Sequence, residues 1–473
     1  MTTEQRSERT RPGGQSGPAA PSRPMAPRGR RPDLAAAAGG VLLVAVAVLA
    51  GWMIENANGS LRVRWPPLLA TWDPHLGPGT PAAVAVAAAV IAYGPALADR
   101  LPWRRLLLTG WAASLAWIFS LAMADGWHRG IARRLTTEHE YLRAIDRFDD
   151  IGAALRGFTD HIVIGPPGNW PTHVAGHPPG ATLTFVGLDR AGLAGGAWAG
   201  VWCIVLGGSA AVAVLITLRA LTDEGLARRA APFLVLAPLA VWTGTSADGY
   251  FAAVAAWSVA LLALAATRRT RFPAAAALGS GLLFGVTCYL SYGLTLIAVP
   301  LLAVLVLART ARPVPALLLG ALVAPAAFTL AGFDWWEGYR QLVERYYQGA
   351  GGVRPYSYWI WANLACTTLA VGLGTVAGLR RAGAIAPAAL RAVGRGSAAG
   401  AQRLAVLVLA ALLALLVADL SGMSKAETER IWLPFTVWLL PAAALLPAGD
   451  RRGWLAAHAV VALLINHLLW TGW

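Results

Sequence analysis

Runs of about 17 to 25 mostly apolar residues recur along nearly the whole chain, each long enough to cross a bilayer core of about 30 Å as a helix. They predict about thirteen spans, at 34–53, 80–98, 106–125, 196–218, 231–245, 250–267, 273–290, 293–309, 314–332, 357–377, 404–421, 431–447 and 454–471. The fold class expected is therefore all-α and integral to the membrane, a polytopic helical bundle filling residues 34–473. Two stretches between spans keep helical spacing but carry a polar face. Over 138–161 the residues Tyr141, Leu142, Ile145, Phe148, Leu155 and Phe158 recur at steps near three and four, while Glu140, Arg143, Asp149 and Asp150 lie off that stripe. This predicts an amphipathic helix in the membrane interface. The segment 334–347 repeats the pattern with Trp335, Tyr339, Leu342 and Tyr346. Tyr356, Tyr358, Trp359 and Trp361 follow it, as in an interfacial aromatic belt.

Of the 473 residues 57% are hydrophobic and 13% charged, about half the charge of an ordinary soluble domain, which excludes a water-soluble globular protein. The net charge of +15 is almost wholly arginine, Lys425 being the only lysine. The arginines recur as short clusters between apolar runs, not as a basic face interleaved with polar and aromatic contacts, so nucleic acid is not an expected partner. Cys203, Cys288 and Cys366 fall inside apolar runs with no metal-ligand spacing and read as small core residues.

Cytoplasmic loops are enriched in Lys and Arg close to span ends. The clusters at Arg100, Arg104 and Arg105, at Arg219, Arg228 and Arg229, at Arg268, Arg269 and Arg271, at Arg309 and Arg312, at 380–403, and at Arg451 and Arg452 all fall on one side. That side is assigned to the cytoplasm, together with a basic, Pro-, Gly- and Ser-rich tail over residues 1–33 that is expected to be disordered. The C-terminus then lies outside a multi-pass plasma-membrane protein. The loops left outside are 54–79, 126–195, 333–356 and 422–430. Acids collect there or at the outer ends of spans, at Asp125, Asp248, Asp419, Glu427 and Glu429, and so do most of the eight histidines.

The loop 126–195 is the expected seat of the chemistry. Asp125 ends a span in LAMADGWHRG, Glu138 and Glu140 follow in TEHEYL, and IGPPGNWPTHVAGHPPG at 164–180 is a series of proline turns carrying His173 and His177. The histidines read equally as turn residues bonded to backbone carbonyls. This order of features resembles the GT-C superfamily of polytopic glycosyltransferases, with the GHPPG of 176–180 similar to the HPP-type motif of its protein O-mannosyltransferase-like and lipid-linked sugar transferase-like branches. The resemblance covers roughly 125–189. It departs from the superfamily's pattern in having two spans before the one that delivers Asp125, in Asp73 of the first outer loop as a rival acid, and in His139 parting the two glutamates.

The resemblance implies a membrane glycosyltransferase that moves a sugar from a polyprenyl-phosphate donor to an envelope glycan, lipid or protein acceptor on the outer face. Such a reaction needs a base for the acceptor hydroxyl and a cation for the phosphate leaving group. Asp125 is the first candidate for base and Glu140 the second. Glu138, His173 and His177 are candidate substrate-binding residues, and Lys425 and Arg430 in SGMSKAETERIWLPF stand at the depth of a lipid head group. Asp248 in TSADGY is read as a helix cap or a catalytic acid. No cofactor is expected and no metal ligands are assigned; a divalent cation stays open as an alternative, although the separated glutamates give no clear ligand motif. The expected partners are the bilayer, the polyprenyl-phosphate-linked sugar and the envelope acceptor. The alternatives are a transporter or flippase of a lipid-linked glycan, or an inactive partner that keeps the fold.

Overall fold

The computed structural model describes residues 29–165 and 167–472. The architecture is a bundle of helices, and the strands among the described residues are two of three residues each, β1 (Ala70–Trp72) and β2 (Leu469–Thr471), paired antiparallel. Seven helices among the described residues are long and apolar enough to span a bilayer: Arg30–Asn58, Thr80–Arg100, Trp103–Asp125, Gly195–Leu221, Ala247–Ala266, Pro273–Leu290 and Gly400–Leu420. Counting each of three sharply bent helix pairs as one span gives ten, not the thirteen expected.

Proline and glycine account for the difference. The stretch expected as a span over 231–245 stops at Val235 and resumes only as the turn Ala240–Thr243, with Pro238 between. Proline brings no backbone N–H and its ring clashes with the preceding turn. The stretch over 431–447, which holds Pro434 and Pro441, is likewise split into Thr428–Ile431, Leu433–Thr436 and the 3-10 turn Leu440–Leu445. Residues 230–253 and 432–444 are buried throughout, a setting in which broken helices are tolerated at membrane depth, because protein and not lipid surrounds the freed backbone groups. The span expected over 293–309 begins as the 3-10 turn Tyr292–Ile297, and its helical part is Ala298–Ala308. At 357–377 the helix breaks at Gly372, whose φ of 78° and closeness to His458 leave no room for a side chain. The flanking helices Tyr356–Val371 and Leu373–Arg395 meet at 112°.

Trp117, Trp242, Trp438, Phe233 and Phe251 fill the core. The outer helices leave Val41, Leu42, Leu108, Leu302, Leu319 and Leu413 uncovered, as a lipid-facing surface requires. Helices approach closely where small residues permit: a Cβ on Gly281 would come within 1.9 Å of the Leu317 carbonyl oxygen of the helix Val314–Ala321.

The four polar loops meet at one end of the bundle. Arg354 donates from Nε to the Leu61 carbonyl and from Nη1 to that of Lys425, at 3.0 and 2.7 Å, and Gln348 exchanges hydrogen bonds with the backbone of Ile164. Arginines also tie together the segments grouped on the other side. Arg228 donates to the carbonyls of Ala98 and Leu101, Arg403 to Leu221, and Asp33 is held by Arg380 and Arg381. The tail expected over 1–33 lies, up to residue 28, outside the described residues; from Arg30 the chain is helical.

The amphipathic helix expected over 138–161 is not continuous. It is a 3-10 helix at Tyr141–Phe148, a short α-helix at Ile151–Arg156 capped by Asp150, and a 3-10 turn at Thr159–His161. Its apolar stripe turns towards the bundle, with Tyr141, Phe148 and Phe158 buried and Phe148 and Phe158 packed on Trp170. The second expected helix is present as Trp335–Gln348, and Asp334 caps it by accepting from the N–H groups of Trp336 and Glu337.

Candidate active site

Asp125 closes the span that begins at Trp103, Gly126 turns the chain, and a π-helical turn at His128–Ala132 leads into the 3-10 turn Arg134–Thr136. This tight path folds the arginines of DGWHRGIARR back on the acid. Arg134 Nη2 donates to Asp125 Oδ2 at 2.9 Å, and Arg129 Nε lies 3.2 Å from Oδ1. His75 Nε2 faces the same oxygen at 3.4 Å, its Nδ1 bonded to the Asp73 carbonyl. Arg129 also pairs with Asp73, and its guanidinium holds the Asp73 carboxyl below the usual carboxylate range. The rival acids of the two outer loops therefore stand on one arginine. Over this group opens a cleft of about 480 Å³ lined by Asp73, Arg129, Arg133, Arg134, Thr137, Trp470 and Gly472. Cation exceeds anion at its wall, so the cleft suits an anionic ligand.

A second charged group is built around Arg430. Its Nη1 donates to Asp248 Oδ2 at 2.5 Å, its Nη2 to Glu427 Oε2 at 2.7 Å, and Nη2 lies 3.2 Å from His173 Nε2. His173 Nδ1 in turn lies 3.1 Å from Glu140 Oε1. Arg430, Asp248, Glu140 and His173 are all buried, and the cavity beside them has room for no more than a water molecule, at about 10 Å³. Burial alone would lower the Arg430 pKa, but Asp248, Glu427 and Glu140 raise it above the ordinary arginine value. Burial would likewise raise Glu427, yet Arg430 and Arg354 hold it below the usual range; burial of its neighbour Glu429 pushes that carboxyl up to about 7. The cap of the helix Ala247–Ala266 is Ser246, whose Oγ accepts from the Asp248 N–H, so the Asp248 carboxylate serves Arg430 instead.

The remaining expected residues lie beside these groups or apart from them. Glu138 is on the surface beside His139. His177 Nδ1 bonds the His173 carbonyl at 2.7 Å, and the ring packs on Tyr141 and Phe251; burial brings it down to about 4. Lys425 Nζ donates to the Gly351 carbonyl at 2.8 Å and sits 5.4 Å from the Tyr347 ring. Glu140, His173 and Arg430 are thus brought together, whereas Asp125 belongs to the other group. Among the described residues no three His, Cys, Asp or Glu side chains are grouped as a metal site.

Sequence reasoning missed His75, Arg129, Arg133, Arg134 and Trp470. A signal existed: Arg129, Arg133 and Arg134 follow a span at an end assigned to the outside, where the arginine asymmetry of membrane proteins leads one not to expect them. Arg129 also stands four residues after Asp125, the spacing of a helical ion pair.

The fold and this site define a polytopic helical membrane protein with an arginine-rich cleft where its polar loops meet. No protein-family model and no curated protein matches the chain. Among solved structures it is similar to the Archaeoglobus fulgidus oligosaccharyltransferase, crystallised in complex with Zn and sulfate, at 15% identity and a TM-score of 0.44 over 76% of this chain. The match spans about half of that protein, 53% of its length.

Proposed function

We propose that the protein is an integral membrane glycosyltransferase of the GT-C type, using a polyprenyl-phosphate sugar donor on the outer face of the plasma membrane. The observation that carries this reading is Asp125 standing behind a cleft walled by Arg129, Arg133 and Arg134. A carboxylate takes the proton of an acceptor hydroxyl as its oxygen bonds to the anomeric carbon. The sugar–phosphate bond breaks, and the arginines receive the phosphate with its electron pair. Asp125 is the base, and the three arginines take the leaving-group role first given to Lys425 and Arg430. Glu140, His173 and Arg430 hold the loop 126–195 against the bundle. The loops carrying the cleft face outwards, the N-terminus lies in the cytoplasm, and the acceptor is an envelope glycan, lipid or protein.

The test is transfer by purified protein in nanodiscs from labelled polyprenyl-phosphate sugars to envelope acceptors. Product lost in Asp125→Asn and in Arg134→Ala, with both variants folded, supports the reading; unchanged transfer in both defeats the roles assigned. Three sharply bent helix pairs favour a second reading, since interrupted spans are a feature of transporters. Donor crossing the membrane of reconstituted vesicles without covalent change would select it.

A further inference from the structure

We propose that Trp470 is a positioning residue for the cleft arginines, which makes strand β2 a working part of the anion site. The proposal rests on the reading that the cleft takes a lipid-linked phosphate. Side chains alternate across a strand, and in β2 Leu469 and Thr471 are buried while Trp470 is 38% exposed and lines the cleft. The two buried neighbours fix the strand, leaving the indole to meet the arginines. The Arg129 guanidinium carbon lies 4.8 Å from the Trp470 ring centroid and that of Arg134 lies 6.0 Å away, both within reach of a cation–π attraction. The backbone adds a second hold, since Arg134 Nη1 donates to the Thr471 carbonyl at 2.5 Å.

The pairing of β2 with β1 extends this control to the other side of the cleft. Beyond the register Thr71–Trp470, the Asp73 N–H donates to the Leu468 carbonyl and the His75 N–H to that of His467, at 3.0 and 2.9 Å. One strand pair therefore sets Asp73 and His75 on one flank and Trp470 and the Thr471 carbonyl on the other, with the Asp125 arginines between them. Arginine loses considerable rotamer freedom when it binds a ligand. Holding two guanidiniums in place beforehand removes that cost from binding, so loss of Trp470 acts on affinity for the phosphate and not on the chemical step.

The experiment uses the full chain in nanodiscs and measures binding of polyprenyl monophosphate, with the uncharged polyprenol as control, beside transfer kinetics. Trp470→Leu is expected to weaken monophosphate binding and raise donor KM about tenfold, with kcat within about twofold and polyprenol binding unchanged. Trp470→Tyr, which keeps an aromatic face, is expected to restore most of the affinity. Equal losses for monophosphate and polyprenol, a fall in kcat at constant KM, or a tyrosine variant as weak as the leucine one would overturn the proposal. Binding is read without transfer, so the two readings fail separately. Selective loss of monophosphate binding in a protein that transfers no sugar upholds the role of Trp470 and defeats the transferase; transfer with Trp470→Leu matching wild type does the reverse.

Discussion

The two charged groups use the same residue types and differ in balance and access. Around Arg430, two carboxylates contact the guanidinium, a third acid reaches it through His173, and the adjoining cavity is of water size. Around Asp125, Arg129 and Arg134 crowd one half-buried carboxylate, Arg129 also holds Asp73, Arg133 adds a third cation against these two acids, and the wall opens into a cleft. A buried charge must be matched by its neighbours or the desolvation cost is left uncompensated. A closed group in which Arg430 and Arg354 are held among Asp248, Glu427 and Glu140 therefore joins loops, whereas an excess of cation with open volume leaves attraction for something brought from outside.

The sharpest way to break this contrast is Asp125→Asn, which should cost transfer about 10²- to 10⁴-fold while lowering the unfolding midpoint less than Arg430→Ala does, because the buried Arg134 keeps the Thr471 carbonyl and an amide oxygen as acceptors. A comparable loss of melting temperature would place Asp125 with the structural group instead. Next is Arg430→Ala, which strands Asp248 and Glu427 in the interior and should destabilise the protein by about 3–5 kcal/mol, read as a lower unfolding midpoint in detergent. A stable variant that has lost only donor binding would reverse the assignment of the two groups. Arg133→Ala should raise donor KM about tenfold and flatten its dependence on salt, with kcat little changed, as expected when one partly exposed phosphate contact is removed.

An effect confined to acid pH is expected at His177. Its imidazole titrates near 4 in the fold and near 6.5 when unfolded, so between these values the unfolded chain binds the extra proton. Stability present above pH 6.5 should then fall by about 3 kcal/mol as the pH drops towards 4. Unfolding curves of His177→Gln should lack that slope. Glu138→Ala, on an exposed side chain, should change neither unfolding nor transfer.

The apolar pattern made the membrane class and most helix positions legible, down to 273–290, which is the helix Pro273–Leu290 itself. It overcounted spans because a run such as 431–447 has the same hydropathy whether it crosses lipid as one helix or is buried as three turns. The candidate site was legible at its acid, since Asp125 ends a span, but not at its partners. Arg134 and Thr471 are 337 positions apart, and no local spacing joins them.

Sequence by itself determined that this chain lives in a bilayer, that its loops are polar, and that Asp125 comes at a helix end, because span length and residue polarity are local properties. Tertiary structure decided which arginine became a buried strut and which lines a cleft. It also decided that a strand near the end of the described chain closes the wall around the Asp125 group. Those outcomes depend on which loops meet in space, and the charge balance that distinguishes the two groups exists only after they have met.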